Sequence, residues 1–306
     1  PGMSKRLFKH RGKHHHVGTV KTPTPEAMAA FTASKGGHLH QVLGTLPTPP
    51  ASVDYITPAK DALATMLGNG PDSTLPMRTD GTPVQPVGDC VIAEDLHLSA
   101  SRACNAGAPW VPTTAEALAA YSAVTQFDPN APLAADGSNP TDQGTDPLAL
   151  VAWRKAGNAY PDGSTLLDAV TVDATSQSAL QQAIWLGVGC FAWASLPDAW
   201  ESEEDGGDVW DVAGDPNPQN GHGFGLACYD DHVELTEWGE DAPPVKMTYA
   251  AAAKYLVPSA GGGVLAFIDS NFLNSVTGKC PAGYDLSTVK AYLAQLGTSA
   301  PPPAAT

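Results

Sequence analysis

No Cys-x-x-Cys pair, no G-x-S-x-G elbow, no P-loop and no strand-anchored G-x-G-x-x-G occurs in this 306-residue chain. Those absences exclude a zinc ribbon, a thioredoxin-like redox site, an elbow-type serine hydrolase and the common nucleotide-binding loops. Long apolar runs are missing too. The longest, "AIWLGVGCFAWA" (183–194), is too short to cross a bilayer, and the first twenty residues are basic without an apolar stretch. A soluble protein with no secretory signal and no membrane partner is expected. Basic charge is scarce: 16 Lys and Arg stand against 32 Asp and Glu, a net charge of -16. Six of those sixteen (Lys5, Arg6, Lys9, Arg11, Lys13, Lys21) precede the first acid at Glu26, which leaves ten for the rest of the chain. So acidic a body excludes a nucleic-acid surface outside the N-terminal arm, and a solvated tail is the simpler reading of the arm.

Hydrophobic residues make up 42% of the chain, enough for one sizeable core, and 28 prolines and 30 glycines imply many loops. The five cysteines (90, 104, 190, 228, 280) are scattered and odd in number, so buried free thiols in a reducing compartment are expected. The organisation read from the pattern is a basic flexible arm and Pro-rich linker over 1–52, a folded body over 53–296 and a disordered tail over 297–306. The histidine tract "HRGKHHH" sits on the arm and is taken as incidental. No metal and no cofactor is expected.

Helices are expected over a short stretch from Pro25 to Ser34, in "PAKDALATMLGNG", from Cys90 onward, and over 113–124, 146–157 and 176–187. From there the pattern turns to strands: "GVGCFAWASL", "GFGLACYD", "HVELTEWG" and "GVLAFID". Helices first and strands later argue for α+β. In the Cys90 helix, Ala93, Leu96, His97, Ala100, Ala103 and Cys104 recur at three and four and predict one buried face. Asp89 stands at the N-cap position, where its carboxylate is expected to point at backbone N–H groups. His97 is read as packing. The acidic run 201–211 lacks the order of an EF-hand loop and is read as solvated. "TDQGTDP" is read as capping a helix and lining a loop, with no catalytic role.

One arrangement carries chemistry: an early cysteine at a helix N-terminus and a late histidine on a strand. A thiol becomes a good nucleophile as a thiolate, and a helix N-terminus with an imidazole alongside favours that anion. Cys90 in "GDCVIAEDLH" meets the first condition. His222 in "NGHGFGLACYDD" is the candidate for the second, with flanking glycines that admit a substrate backbone.

In this order the motifs resemble the papain-like cysteine peptidase superfamily. "GHGFGLACYDD", with Tyr229 seven residues after His222, is similar to its histidine strand, and "TEWG" (236–239) to its Asn-x-Trp-Gly. Further stretches ("MLGN", "GDCVIAE", "YSAVTQFDP", "TDQGTDPLALVAWRKAG", "EWG…MTYAAAAKYL") resemble a branch carried by tailed phages and prophages, over about residues 53–272. The resemblance implies a helical half carrying Cys90, an antiparallel β-rich half carrying His222, and a cleft between them. It also implies a thiol hydrolase acting on a peptide or protein substrate, a virion or host protein among the candidates, through a thioester. Gly88, Asp89, Gly221 and Trp238 then line the cleft, with Trp238 shielding the imidazole.

Two positions depart from the family pattern. Gln85 is the candidate oxyanion donor beside the Cys90 N–H, but it lies five residues before Cys90, one short of the usual separation. Thr236 stands where the family's Asn orients the imidazole. Glu237 could serve that role if a bulge turned it inward, and otherwise Cys90 and His222 act as a dyad. Those departures keep alive a second reading, a non-enzymatic phage-associated binding or structural protein on a degenerate scaffold. Acyl transfer to an amine by the same pair is a third.

Overall fold

The computed structural model describes residues 20–35, 46–70, 74–201, 209–236 and 245–296, together with the backbone of 6–10 and 13–17. Glu237, Trp238, most of the acidic run 201–211 and the tail 297–306 lie outside the described residues. Within the stretch expected as a flexible arm, β1 (Arg6–His10) and β2 (Lys13–Val17) pair as an antiparallel hairpin. Helix α1 (Pro25–Lys35) follows, with Pro in its first turn, and its Met28 is buried in the core. Val20 bridges to Thr145, and the Lys21 N–H donates to the Thr145 carbonyl at 3.0 Å.

The chain then runs β3 (Val53–Asp54), α2 (Lys60–Leu63), α3 (Cys90–Asn105), α4 (Thr114–Thr125), α5 (Pro147–Lys155), β4 (Leu166–Thr171) and α6 (Gln177–Gly187). After these come β5 (Cys190–Ser195), α7 (Asp198–Glu201), β6 (Val209–Trp210), β7 (Gly221–Tyr229), β8 (Val233–Thr236), β9 (Val245–Met247), α8 (Tyr249–Tyr255), β10 (Gly263–Asp269) and α9 (Leu286–Leu296). Local chemistry sets several starts. Thr113 and Glu116 form a reciprocal capping box on α4. Asp146 caps α5 by accepting from the Leu148 N–H at 2.7 Å, and Ser176 caps α6 by accepting from Ala179 at 3.2 Å. Each such cap is worth about 1 kcal/mol.

The eight-stranded sheet has the order β4-β10-β5-β7-β8-β9-β6, with β3 beside β7; every pairing is antiparallel except β6 with β9. Its inner strands separate two cores by simple alternation. In β5, Phe191 and Trp193 join the core shared with α3, α4 and α5, while Cys190, Ala192 and Ala194 face the core beneath α6, α8 and α9. This is the expected α+β fold, helices early and a large antiparallel sheet late.

Helix α3 departs from the one-faced expectation. Its residues from Cys90 to Ala103 are buried all round, so its charges are buried as well. Asp95, Arg102, Arg154 and Asp269 are 0–1% exposed. Arg154 of α5 donates to Asp95 at 2.7 Å and to Asp269 of β10 at 2.9 Å. Arg102 donates to the other Asp269 oxygen at 2.8 Å and to the carbonyls of Gly187 and Gly189. Tyr160 closes the network on Asp95 at 2.6 Å and lies under the Arg154 guanidinium. Burial pushes the Asp95 carboxyl up, and the Arg154 charge pulls it back.

Breaking such a network leaves one carboxylate buried without its counter-ion, which costs about 3–5 kcal/mol. Arg154→Met is therefore expected to lower stability by that amount in urea unfolding. Lys155→Ala, which removes the half-buried pair to Asp168, is expected to cost less than about 1 kcal/mol.

Candidate active site

Helix α3 lies against β7, and small residues on β7 make that approach close. A Cβ on Gly223 would sit 3.4 Å from Val91 Cα and 3.4 Å from Phe191 Cζ. A Cβ on Gly225 would fall onto the Glu94 and Thr236 oxygens and 3.0 Å from Leu98 Cδ2. Each step of about 5.4 Å along the helix thus meets the next glycine, about 6.7 Å further along the strand. Cys90 and His222 are the chain neighbours of the touching pair Val91 and Gly223. Both are 1% exposed. The remote sequence motifs therefore arrive at one end of one helix–strand contact.

Residues 86–89 lead into this helix, and a buried carboxylate holds them. The Gly88 N–H donates to Asp142 at 3.1 and 3.2 Å, the Tyr121 hydroxyl donates to Asp142 at 2.7 Å, and the Gly144 N–H donates to the Tyr121 oxygen at 3.0 Å. Burial and the nearby Asp142 raise the Tyr121 phenol pKa well above its usual range, which keeps that hydroxyl a donor. Asp142 and Tyr121 thus tie "TDQGTDP" to the turn before Cys90. Sequence reading assigned that motif a capping role, which Asp146 does perform; the acid four residues earlier was missed.

Asp89 corrects an expectation. It occupies the N-cap position but makes no capping hydrogen bond, because its backbone (φ -98°, ψ 17°) lacks the extended conformation of a cap. Its carboxyl group turns inward beneath Gly68 and is fully buried. Among the described residues neither oxygen has a hydrogen-bond partner. Burial raises its pKa well above the carboxylate range, and the Cys90 and Asp142 charges push in the same direction.

Gly88 and Gly221 are buried, and Gln85 is exposed on the turn before Gly88. The Val20 carbonyl covers Gly221: a Cβ there would meet it at 3.0 Å. On β8, Thr236 pairs with Gly225, on the side of β7 that faces α3, and its hydroxyl donates to Glu94. His222 shares the opposite alternation with Phe224, their rings 6.0 Å apart. The Thr236 proton therefore goes to α3. Glu94 also faces His97 Nδ1 at 3.5 Å, and His97 Nε2 lies 2.8 Å from the Thr65 carbonyl. The expectation that His97 is structural fits those contacts. Glu94 escaped sequence reading, since an acid on a helix is usually a solvated one.

All five cysteines are free, and all but Cys104 are buried. No helix among the described residues is long and apolar enough to cross a membrane. The ligand atoms of Asp230, Asp231 and His232 lie within 4.8 Å of one another at the β7–β8 turn, at the far end of β7 from His222.

The inward Asp89 has a pH signature. Its unfolded pKa is about 3.9 and its folded value lies higher, so above pH 4 the unfolded chain binds fewer protons than the folded one. Its contribution to stability is thus present in acid and declines as pH rises toward the folded value. Asp89→Asn is expected to flatten this decline, read as the difference in urea stability between wild type and variant at pH 4, 5.5 and 7.

No family model matches the sequence, and no curated protein sequence matches it. Solved structures do. Xylellain, a cysteine protease from Xylella fastidiosa, aligns with a TM-score of 0.50 at 10% identity, over 88% of this chain and 98% of its own. The cysteine protease and lectin-like domains of Cwp84 from Clostridium difficile align at a TM-score of 0.47 and 10% identity, over 86% of this chain and 62% of theirs. At such identities the likeness is one of architecture. This chain has the fold of a papain-like cysteine protease.

Proposed function

We propose that the protein is a thiol hydrolase acting on peptide or amide bonds, with Cys90 as nucleophile and His222 as general base. The observation that supports this reading is the α3–β7 contact: Val91 packs on Gly223, and Cys90 and His222 are the chain neighbours of that touching pair. In this reading His222 takes the thiol proton, and the thiolate attacks the scissile carbonyl. The Cys90 N–H and the exposed Gln85 hold the oxyanion. The imidazolium then protonates the leaving amine, and water resolves the thioester. A peptide or protein, from a virion or from the host, is the proposed substrate. The series of phage-like motifs supports a phage or prophage origin.

One observation favours the second reading. Cys90 and His222 are both 1% exposed, and Val20 lies over the His222 end of β7. A binding or assembly protein on the same scaffold would need no open route to the thiol.

Alkylation separates the two. With iodoacetamide near neutral pH and peptide mapping by mass spectrometry, Cys90 is expected to react at least tenfold faster than Cys104, Cys190, Cys228 or Cys280. His222→Ala is expected to remove that advantage. If Cys90 reacts no faster than a free cysteine, the hydrolase reading fails and the binding reading stands. Conjugates formed on adding a primary amine to the acylated protein would redirect the assignment to acyl transfer.

A further inference from the structure

Helix α3 begins without a side-chain clamp on its first residues. Asp89 makes no capping hydrogen bond, and its carbonyl accepts from the Ile92 and Ala93 N–H groups at 2.7 and 2.9 Å. The direction of the Cys90 N–H therefore depends on how the backbone before it is held. Three N–H groups of that stretch are pinned from other segments. Val84 donates to the Pro76 carbonyl at 2.9 Å, Val87 to the Gly68 carbonyl at 2.9 Å, and Gly88 to both carboxyl oxygens of Asp142 at 3.1 and 3.2 Å. The first two anchors flank Gln85, and the third lies two residues before Cys90. Asp142 is itself held: Tyr121 of α4 donates to it at 2.7 Å, and the Tyr121 oxygen accepts from the Gly144 N–H at 3.0 Å. Asp142 and Tyr121 are both buried, and hydrogen bonds inside a protein are stronger than in water.

We propose that Asp142 is a positioning residue for the oxyanion side of this site: it fixes the turn before α3 and so aims the Cys90 N–H, while Tyr121 holds Asp142 in place. This inference rests on the thiol-hydrolase reading, in which the Cys90 N–H and Gln85 receive the oxyanion. Asp142 acts through Gly88, not on the substrate. The geometry suits the task. A carboxyl group that meets one N–H with both oxygens restrains it from either side, and the Tyr121 hydroxyl fixes that carboxyl group from α4. The starts of α3 and α5 are thereby tied to α4, since Asp142 lies just before α5 and Gly88 just before α3. An oxyanion donor works only when it points at the place where charge develops, and losing one costs about 100-fold or more in rate. A displacement of about 1 Å in a catalytic group costs ~100-fold as well. A restraint two residues from the donor therefore bears directly on acylation.

Two reagents separate aim from reactivity. p-Nitrophenyl acetate acylates Cys90 through an oxyanion: the C–S bond forms, the ester C–O bond breaks and p-nitrophenolate leaves. Iodoacetamide alkylates the same sulfur by direct displacement of iodide and forms no oxyanion. Both rates are measured near neutral pH on the full chain, the first as the p-nitrophenolate burst above that of Cys90→Ala, the second by peptide mapping at Cys90. Asp142→Ala is expected to lower acylation at least tenfold, with alkylation within threefold of wild type. Tyr121→Phe keeps the ring in the core and removes only the hydroxyl; it is expected to lower acylation at least threefold, again with alkylation little changed. A role confined to stability moves both rates together or neither. If Asp142→Ala does not fold, Tyr121→Phe decides alone. The proposal is overturned if the folded variants keep the wild-type ratio of acylation to alkylation. A wild-type Cys90 no faster than a free cysteine sinks the hydrolase reading and this proposal with it, whereas a fast wild-type Cys90 with an unchanged ratio in the variants sinks this proposal alone.

Discussion

Helix α3 runs through the middle of the molecule with no face on solvent, and it carries charge. That one constraint organises the rest. An unpaired ion in such surroundings costs several kcal/mol, so every charged or polar side chain on the helix must find its partner inside. Asp95 and Arg102 do so through Arg154 and Asp269, which draws α5 and β10 to the helix. Ser99 meets Ser164, and Ser101 meets the Tyr55 carbonyl. The helix is thereby fixed in rotation and along its axis, and its first residue, Cys90, is fixed with it.

The same close packing explains the composition of β7. Gly223 and Gly225 let the helix approach to contact distance, and larger residues on the other side, Phe224 and Leu226, fill the second core. A strand with bulk on both sides would hold α3 away from the sheet. The glycines around His222 therefore serve helix packing. They were read from the sequence as room for a substrate backbone, and at Gly221 that room is taken by Val20.

The turn before the helix shows how a site can be rigid without its expected cap. Asp89 is a good capping residue by type, but it turns away from the helix. Asp142 and Tyr121 restrain Gly88 from a distant segment instead. A carboxyl group left inside without a partner has its pKa pushed well up by burial. Glu94, one turn further on, has partners: the Thr236 hydroxyl donates to it, and His97 faces it.

By itself the sequence determined the order of elements, helices α4, α5 and α6, and the strands around "CFAWAS", "GHGFGLACY" and "GVLAFID". These follow from local chemistry: periodicity, capping residues and β-rich runs. What it missed is non-local. The short strands β4 and β9 and the terminal helix α9 carry little pattern of their own and are stabilised by what they pack against. Asp142, Glu94 and the Arg154 network are ordinary acids and bases in the chain, and only the tertiary structure buries them. Folding alone decided that the Asp89 carboxyl is buried with its pKa pushed up and that the Thr236 hydroxyl donates to Glu94. It acts through desolvation and through the partners that folding brings within reach, and neither is written in the local sequence.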